Sequence, residues 1–296
     1  MNTLDGTKRG GLVYTATLIL FLTVALIGQF ILNASGADRR MFCAVSALFP
    51  SVVFFAAYCF CSQKFGKPQY VKKPIGAVWF FLAVLLAVGM FAGLGFLNIA
   101  ISDAVKSVGG KIAETVPLES VWDYVLFSVV LCVLPAIAEE LFFRGLILGN
   151  LSRAGKVAAT LTVSLCFALY HGNVYQLAYQ FIYGAALCVL TLKSKSVLPA
   201  VLAHFLNNFA VISVEFFGIP IELSSFYCIA AGVVAIVAFI VFIALLSRSD
   251  KKSSEKSETE TQTEKDRESV KNFYFPFGII GIAAMLLLIV VSTVAG

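Results

Sequence analysis

The most prominent pattern in the chain is a series of long apolar runs separated by short polar segments. Runs of about 20 apolar residues are long enough to cross the hydrocarbon core of a bilayer as helices. The sequence has eight or nine such runs, at Gly11 to Asn33, Met41 to Cys61, Ile75 to Ile101, Val121 to Ser152, Ala154 to Tyr170, Asn173 to Leu192, Val197 to Phe217, Phe226 to Ser247 and Phe277 to Val294. The pattern predicts an all-α fold, a polytopic transmembrane helical bundle with eight to nine spans.

One polar segment near the C-terminus differs from the other loops in length and composition. Residues 248–274 consist mostly of Ser, Thr, Lys, Glu and Asp, and such a composition cannot bury enough apolar surface to fold. We therefore predict a transmembrane domain over residues 1–247. A charged, disordered cytoplasmic linker over residues 248–274 and a C-terminal transmembrane helix over residues 275–296 are expected to follow it.

Composition and charge place this bundle in a membrane and orient it. The chain is 59% hydrophobic and only 13% charged, which is unlike a water-soluble domain. Loops rich in Lys and Arg tend to stay in the cytoplasm. With the N-terminus inside, 17 of the 22 Lys and Arg residues fall in cytoplasmic segments, one lies within a span, and the outside holds only Arg39, Arg40, Lys106 and Lys111. We predict a cytoplasmic N-terminus, and we ascribe the net charge of +5 to the anchoring loops and not to nucleic-acid binding.

Few ionisable side chains lie deep within the predicted spans. A charge at the bilayer centre costs roughly 3 kcal/mol on insertion scales, so such residues are functional candidates. Glu139, Glu140 and Arg144 lie in the fourth apolar run. The only two histidines of the chain, His171 and His204, lie in the fifth and the seventh. This concentration of rare residues predicts a shared site inside the bundle.

The spacing of these residues predicts which of them face one another. Positions i and i+4 share one face of a helix. Glu140 is therefore expected to pair with Arg144, which lowers the cost of burying both charges. Glu139 is turned by about 100° and is left free for another neighbour. His204 and Asn208 are expected to project together.

Three blocks in this region resemble a known family. They are Glu-Glu-x-x-x-Arg at 139–144, Phe-x-x-x-His at 167–171 and His-x-x-x-Asn at 204–208, in this order on successive helices. Together they resemble the CAAX prenyl endopeptidase and bacteriocin-processing family, also called the abortive-infection family, over about residues 122–217. The resemblance implies an intramembrane endopeptidase whose substrate is a peptide or a membrane-anchored protein. The style of the motifs implies a bacterial cell membrane.

The resemblance also implies a division of roles. Glu139 would be the general base, and His171 would help to hold and activate the attacking water. His204 and Asn208 would donate hydrogen bonds to the oxyanion. The second glutamate of the first block and its arginine would be a structural pair that orients the base, although spacing alone leaves open which glutamate is the base.

The same residues also fit a metal-dependent mechanism. Two imidazoles and one carboxylate, here His171, His204 and Glu139, are a common catalytic zinc set. The His-Glu-x-x-His motif of many zinc proteases is absent, and none of the seven cysteines forms a Cys-x-x-Cys pair. The sequence leaves zinc-dependent and metal-free mechanisms open.

A non-enzymatic membrane protein is the alternative interpretation. Glu and His side chains could relay protons in a transporter, or an immunity protein could bind a partner through the same groups. Transporters often contain repeated halves or broken helices, and the sequence suggests neither. An Asn one turn from a His also suits an oxyanion donor better than a proton relay. The sequence favours the enzyme. Phe142, Phe143 and Tyr170 are interpreted as packing residues, with walls of a substrate cavity as the alternative.

Overall fold

The computed structural model describes residues 3–65, 68–71, 76–110, 112, 115–152, 155–220, 222, 225–251, 271–274 and 278–295. This part of the chain contains nine helices of 15 or more residues. They are α1 (Thr3–Ala34), α2 (Arg39–Phe65), α3 (Ala77–Ser107), α4 (Val121–Leu151), α5 (Lys156–Tyr170), α6 (Val174–Ser194), α7 (Leu198–Phe216), α8 (Phe226–Lys251) and α9 (Ile279–Ala295). Seven of them are long and apolar enough to cross a membrane, while α5 and α9 are shorter apolar helices. The predicted all-α, polytopic bundle is confirmed.

The predicted linker over residues 248–274 lies only partly within the described residues. Helix α8 continues through Lys251, past the end of the apolar run at Ser247. Residues 271–274 are also helical, and residues 252–270 lie outside the part of the chain that the structure describes.

An aromatic cluster joins α2, α4 and α5. The ring of Phe54 lies 4.8 Å from that of Phe142, centroid to centroid, and 4.9 Å from that of Tyr170. Phe143 lies 5.1 Å from Phe142 and 5.6 Å from Tyr170. Edge-to-face and tilted contacts of this kind add to the free energy gained from burial. The cluster holds the end of α5 against the middle of α4.

A second core joins α3, α6, α7 and α8. Its buried side chains include Met90, Leu187 and Ala203. Helices α3 and α8 approach most closely at Gly93 and Gly232, where a Cβ atom on Gly232 would overlap the backbone of Gly93. Small residues allow such close helix packing in membranes, where apolar lipid supplies little force for association. The candidate residues lie where the two cores meet.

Helix α4 departs from regular α-helical geometry on both sides of Pro135. Residues 128–133 and 140–147 form π-helical turns, and the Leu134 N–H donates to the Val129 carbonyl, five residues back. Such turns widen a helix and are frequent at functional sites. The pattern of apolar residues in the sequence does not predict these π-helical turns.

Pro135 also explains a contact between α4 and α7. In a regular α-helix the carbonyl of Leu131 would accept the N–H of residue 135, which a proline lacks. The side-chain amide of Asn208 donates to this carbonyl at 3.1 Å. The irregular segment of α4 is thereby tied to the helix that carries two of the candidate residues.

We expect Gly232→Ala to destabilise the fold. Alanine normally favours a helix over glycine by about 1 kcal/mol, but the added Cβ would overlap the Gly93 backbone, and overpacking costs about 1–3 kcal/mol. Thermal unfolding in detergent measures the net loss. Gly76→Ala is the control, because a Cβ there meets only the Trp79 ring at 3.8 Å. An unchanged unfolding temperature for Gly232→Ala would show that α3 and α8 separate at no cost.

Candidate active site

The candidate site includes a fully buried ion pair between Glu140 and Arg144. Arg144 Nη1 donates to Glu140 Oε1 at 2.9 Å, and Nη2 donates to the Gly184 carbonyl at 3.2 Å. The guanidinium carbon also lies 4.2 Å from the ring centroid of Phe167. Both charged side chains have zero exposure. Because an unpaired charge is costly in a medium of low dielectric, each of these contacts helps to keep the two charges buried.

The imidazole of His204 joins the same carboxylate. Its Nδ1 lies 2.9 Å from Glu140 Oε1, the oxygen that also accepts from Arg144. Since an ionised carboxylate only accepts, Nδ1 carries the hydrogen of this bond. The carboxylate thus orients the ring and leaves Nε2 for other partners.

Glu139 has a different environment from Glu140. The hydroxyl of Tyr170 donates to its Oε1, whereas Oε1 of Glu140 contacts Arg144 and His204. Oε2 has no hydrogen-bond partner among the described residues in either glutamate, but only Glu139 lines a cavity. Its side chain is 2% exposed. One oxygen is therefore held and the other is available.

His171 is placed by the end of α5. It directly follows Tyr170, the last residue of that helix, and its Nδ1 lies 2.8 Å from the Phe167 carbonyl. A carbonyl only accepts, so Nδ1 is the donor and Nε2 is left free. The Phe167 ring centroid lies 4.9 Å from that of His171 and 5.9 Å from that of His204. One aromatic ring therefore supports both imidazoles.

Four of the six candidate residues line one cavity of about 480 Å³. They are Glu139, His171, His204 and Asn208. Glu140 and Arg144 lie behind this wall. The remaining polar side chains of the wall are uncharged, namely Asn98, Tyr170, Gln176, Tyr179, Gln180 and Asn207. Tertiary packing thus brings residues from α2, α3, α4, α6 and α7 and from the end of α5 to one space.

Several of these residues were not singled out in the sequence. Tyr170 packs as the sequence predicts, and it also lines the cavity and donates to Glu139. Tyr179 donates to Asn207 at 2.5 Å, and neither residue was assigned a part in the site. In the sequence, Tyr170 and Asn207 are marked only by their position next to His171 and Asn208. Gln176 and Gln180 are marked only by their i, i+4 spacing, which is common in helices.

The described residues do not present a ready metal centre. No group of three or more His, Cys, Asp or Glu side chains within the described chain is arranged to hold a metal ion. Glu139, His171 and His204 line the same cavity, but they do not form a three-ligand set.

Comparison with known proteins gives one match. Residues 121–210 match the family model described as type II CAAX prenyl endopeptidase Rce1-like. The match covers α4 to the middle of α7, about a third of the chain, and it confirms the resemblance seen in the three motifs. No curated protein and no solved structure matches the chain. Over these residues the chain is therefore similar to a CAAX-type protease, which is a hydrolase.

We expect Arg144→Met to lower the free energy of unfolding by about 3–5 kcal/mol, because it leaves Glu140 charged, buried and without its main partner. Thermal unfolding in detergent tests this. The double variant Glu140→Leu/Arg144→Met should recover most of the loss, since it removes both charges. Wild-type stability of the single variant would show that the guanidinium does not stabilise the carboxylate.

Proposed function

We propose that this chain, with its Rce1-like domain at residues 121–210, is an intramembrane endopeptidase that hydrolyses a peptide bond of a membrane-associated peptide or protein with a water activated by Glu139 and His171. One observation carries the proposal. The free carboxylate oxygen of Glu139 belongs to a side chain that shares a cavity with two imidazoles and an amide. These groups supply a base, a water ligand and oxyanion donors.

Glu139 acts as the base in this scheme. Oε2 removes a proton from water as the water oxygen attacks the carbonyl carbon of the substrate. The tetrahedral oxyanion then collapses, the C–N bond breaks, and the same proton passes from Glu139 to the leaving amine. The Tyr170 hydroxyl on Oε1 restrains the carboxylate, so that Oε2 is the oxygen that exchanges the proton.

The two histidines are suited to different tasks because their partners differ. His171 donates through Nδ1 to a backbone carbonyl. In the neutral ring its Nε2 is an acceptor, which is what binding and orienting a water requires. His204 donates through Nδ1 to the carboxylate of Glu140. When His204 carries a second proton, its Nε2–H donates to the oxyanion and Glu140 balances the charge.

Charge balance supports the protonated form of His204 during the reaction. The mechanism requires Glu139 as a carboxylate, and this group and Glu140 share one buried region with a single permanent cation, Arg144. An imidazolium at His204 makes this group of four side chains electrically neutral. A buried group with no net charge costs less than one with a surplus carboxylate.

Asn208 can be an oxyanion donor while it holds α4 in place. Its side-chain nitrogen carries two hydrogens, and one of them is used on the Leu131 carbonyl at 3.1 Å. The second hydrogen remains for the substrate oxygen. Its helix neighbour His204 is four residues away, so the two donors project from one face of α7.

The amide side chains of the wall favour a peptide as the ligand. Backbone N–H and C=O groups that enter a water-poor site must find partners there. Asn98, Gln176 and Gln180 each carry both a donor and an acceptor, and the Asn98 carbonyl oxygen has no hydrogen-bond partner among the described residues. These side chains can therefore pair with both the N–H and the C=O groups of an extended substrate backbone.

We expect Glu139→Gln to keep the fold and to lower the rate of cleavage by at least about 100-fold, because the amide preserves shape but cannot accept the proton. The readout is the set of new peptide termini in membrane and secreted fractions, compared between wild-type and variant cells. Glu215→Gln removes an exposed carboxylate at the end of α7 and serves as the control. Identical termini in wild-type and Glu139→Gln cells would contradict the protease and favour a binding or transport role.

We expect strong chelators to leave cleavage by the purified protein within about twofold of the untreated rate, because the described side chains form no three-ligand set and a zinc enzyme would lose activity with its metal. Elemental analysis of active protein purified without added metal accompanies the titration. About one zinc per chain, lost in parallel with activity and lost also in His171→Ala, would require the zinc-dependent mechanism.

A further inference from the structure

The contacts between connecting segments define the two ends of the bundle. Tyr70 contacts Ser152 through its hydroxyl and Val197 through its carbonyl, each at 3.0 Å. Hence the α2–α3, α4–α5 and α6–α7 connections lie at one end, which we call the Tyr70 end. Arg9 in α1 lies over the Phe65 ring at the end of α2, so the start of the chain belongs to that end as well.

The other end carries the remaining connections. Arg39 donates to the Thr115 carbonyl at 2.7 Å, and Arg40 lies 2.7 Å from the Asp123 carboxylate. The α1–α2 and α3–α4 connections therefore meet there. The α5–α6 turn at His171 and the α7–α8 connection lie at the same end because the helices alternate in direction. We call this the His171 end.

The cavity belongs to the His171 end. Every lining residue lies in the half of its helix nearer that end or within three residues of the helix midpoint. Helix α5 has 15 residues and is therefore about 22 Å long, whereas the hydrocarbon core measures about 30 Å. It ends before it crosses the membrane, and the cavity begins at its last residue, Tyr170. The cavity leads from mid-membrane toward the His171 end.

The distribution of positive charge assigns the two ends to the two sides of the membrane. By position in the sequence, the Tyr70 end carries ten Lys and Arg residues, namely Lys8, Arg9, Lys64, Lys67, Lys72, Lys73, Arg153, Lys156, Lys193 and Lys195. The His171 end carries four, Arg39, Arg40, Lys106 and Lys111. Because segments rich in Lys and Arg stay in the cytoplasm, the Tyr70 end is cytoplasmic.

We propose that the active-site cavity opens on the non-cytoplasmic face of the membrane and that its substrate is an internal segment of an exported polypeptide. The second part rests on the proteolytic function proposed above. The sidedness does not, since it follows from the contacts, the cavity and the charges alone.

The charges of the side chains that line the cavity favour an internal segment of the substrate over its C-terminus. If cleavage removed three residues from the C-terminus of a substrate, the terminal carboxylate would lie within about 10 Å of the cleaved bond. It would then be inside the cavity or at its mouth. No Lys or Arg is among the described residues that line the cavity, and Arg144 is committed to Glu140 and Gly184. A terminal carboxylate would meet Glu139 with no cation except an imidazolium at His204, whose charge already balances the carboxylates of the site. An internal segment brings only neutral backbone groups.

Cysteine labelling tests the sidedness without any knowledge of the substrate. Gln176→Cys and Val211→Cys place a thiol in the cavity, Ser107→Cys places one on the surface of the His171 end, and Lys64→Cys marks the Tyr70 end. A membrane-impermeant maleimide is applied to intact cells and to inverted membrane vesicles. The wild-type protein with its seven native cysteines gives the background, and labelling after denaturation normalises the amount of protein.

We expect at least one of the two cavity variants to react in intact cells together with Ser107→Cys, and Lys64→Cys to react only in inverted vesicles. Failure of both cavity variants to react in intact cells overturns the outward opening. The termini lost in Glu139→Gln cells test the substrate: they should map to internal positions in non-cytoplasmic segments. Termini in cytoplasmic segments or at chain ends would overturn the substrate assignment and leave proteolysis intact, whereas unchanged termini would count against proteolysis and leave the labelling result standing.

Discussion

The structure depends on keeping ionised side chains in a medium that does not solvate them. Arg144 and Glu140 are wholly buried, and each reaches a second partner, the Gly184 carbonyl and the His204 ring. Because an uncompensated charge there costs several kcal/mol, α4, α6 and α7 must keep these side chains together. The pair therefore holds α4 in place beside the cavity, where Glu139, one residue away, is the proposed general base.

The shape of the cavity follows from two irregularities in otherwise simple helices. Helix α5 ends early, which leaves space beyond Tyr170. Helix α4 contains π-helical turns beside Pro135 and leaves a carbonyl that Asn208 satisfies. A straight α4 and a full-length α5 would pack as an ordinary pair of spans. The site exists because regular helix packing is interrupted at this depth, and polar side chains complete the backbone hydrogen bonds.

In the proposed mechanism, single aromatic side chains both pack in the core and position the reacting groups. Tyr170 packs with Phe54 and Phe143 on one side and donates to Glu139 on the other, so the aromatic core that stabilises α5 also orients the base. Phe167 similarly supports both imidazoles and the guanidinium of Arg144. Stability and function are coupled at these rings, because a change that loosens their packing also displaces the reacting groups.

The fold class and most of the candidate residues could be predicted from the sequence. Apolar runs of membrane length predict spans whatever their packing, and the rarity of charge within them singled out Glu139, Glu140, Arg144 and the two histidines. The arrangement of these groups required the folded structure: Oε1 of Glu139 accepts from Tyr170, Glu140 contacts both Arg144 and His204, and Gln176 and Asn98 line the same cavity. Helix periodicity relates residues within one helix, whereas contacts between helices depend on tertiary packing and on local departures such as the π turns of α4, which leave no periodic signal.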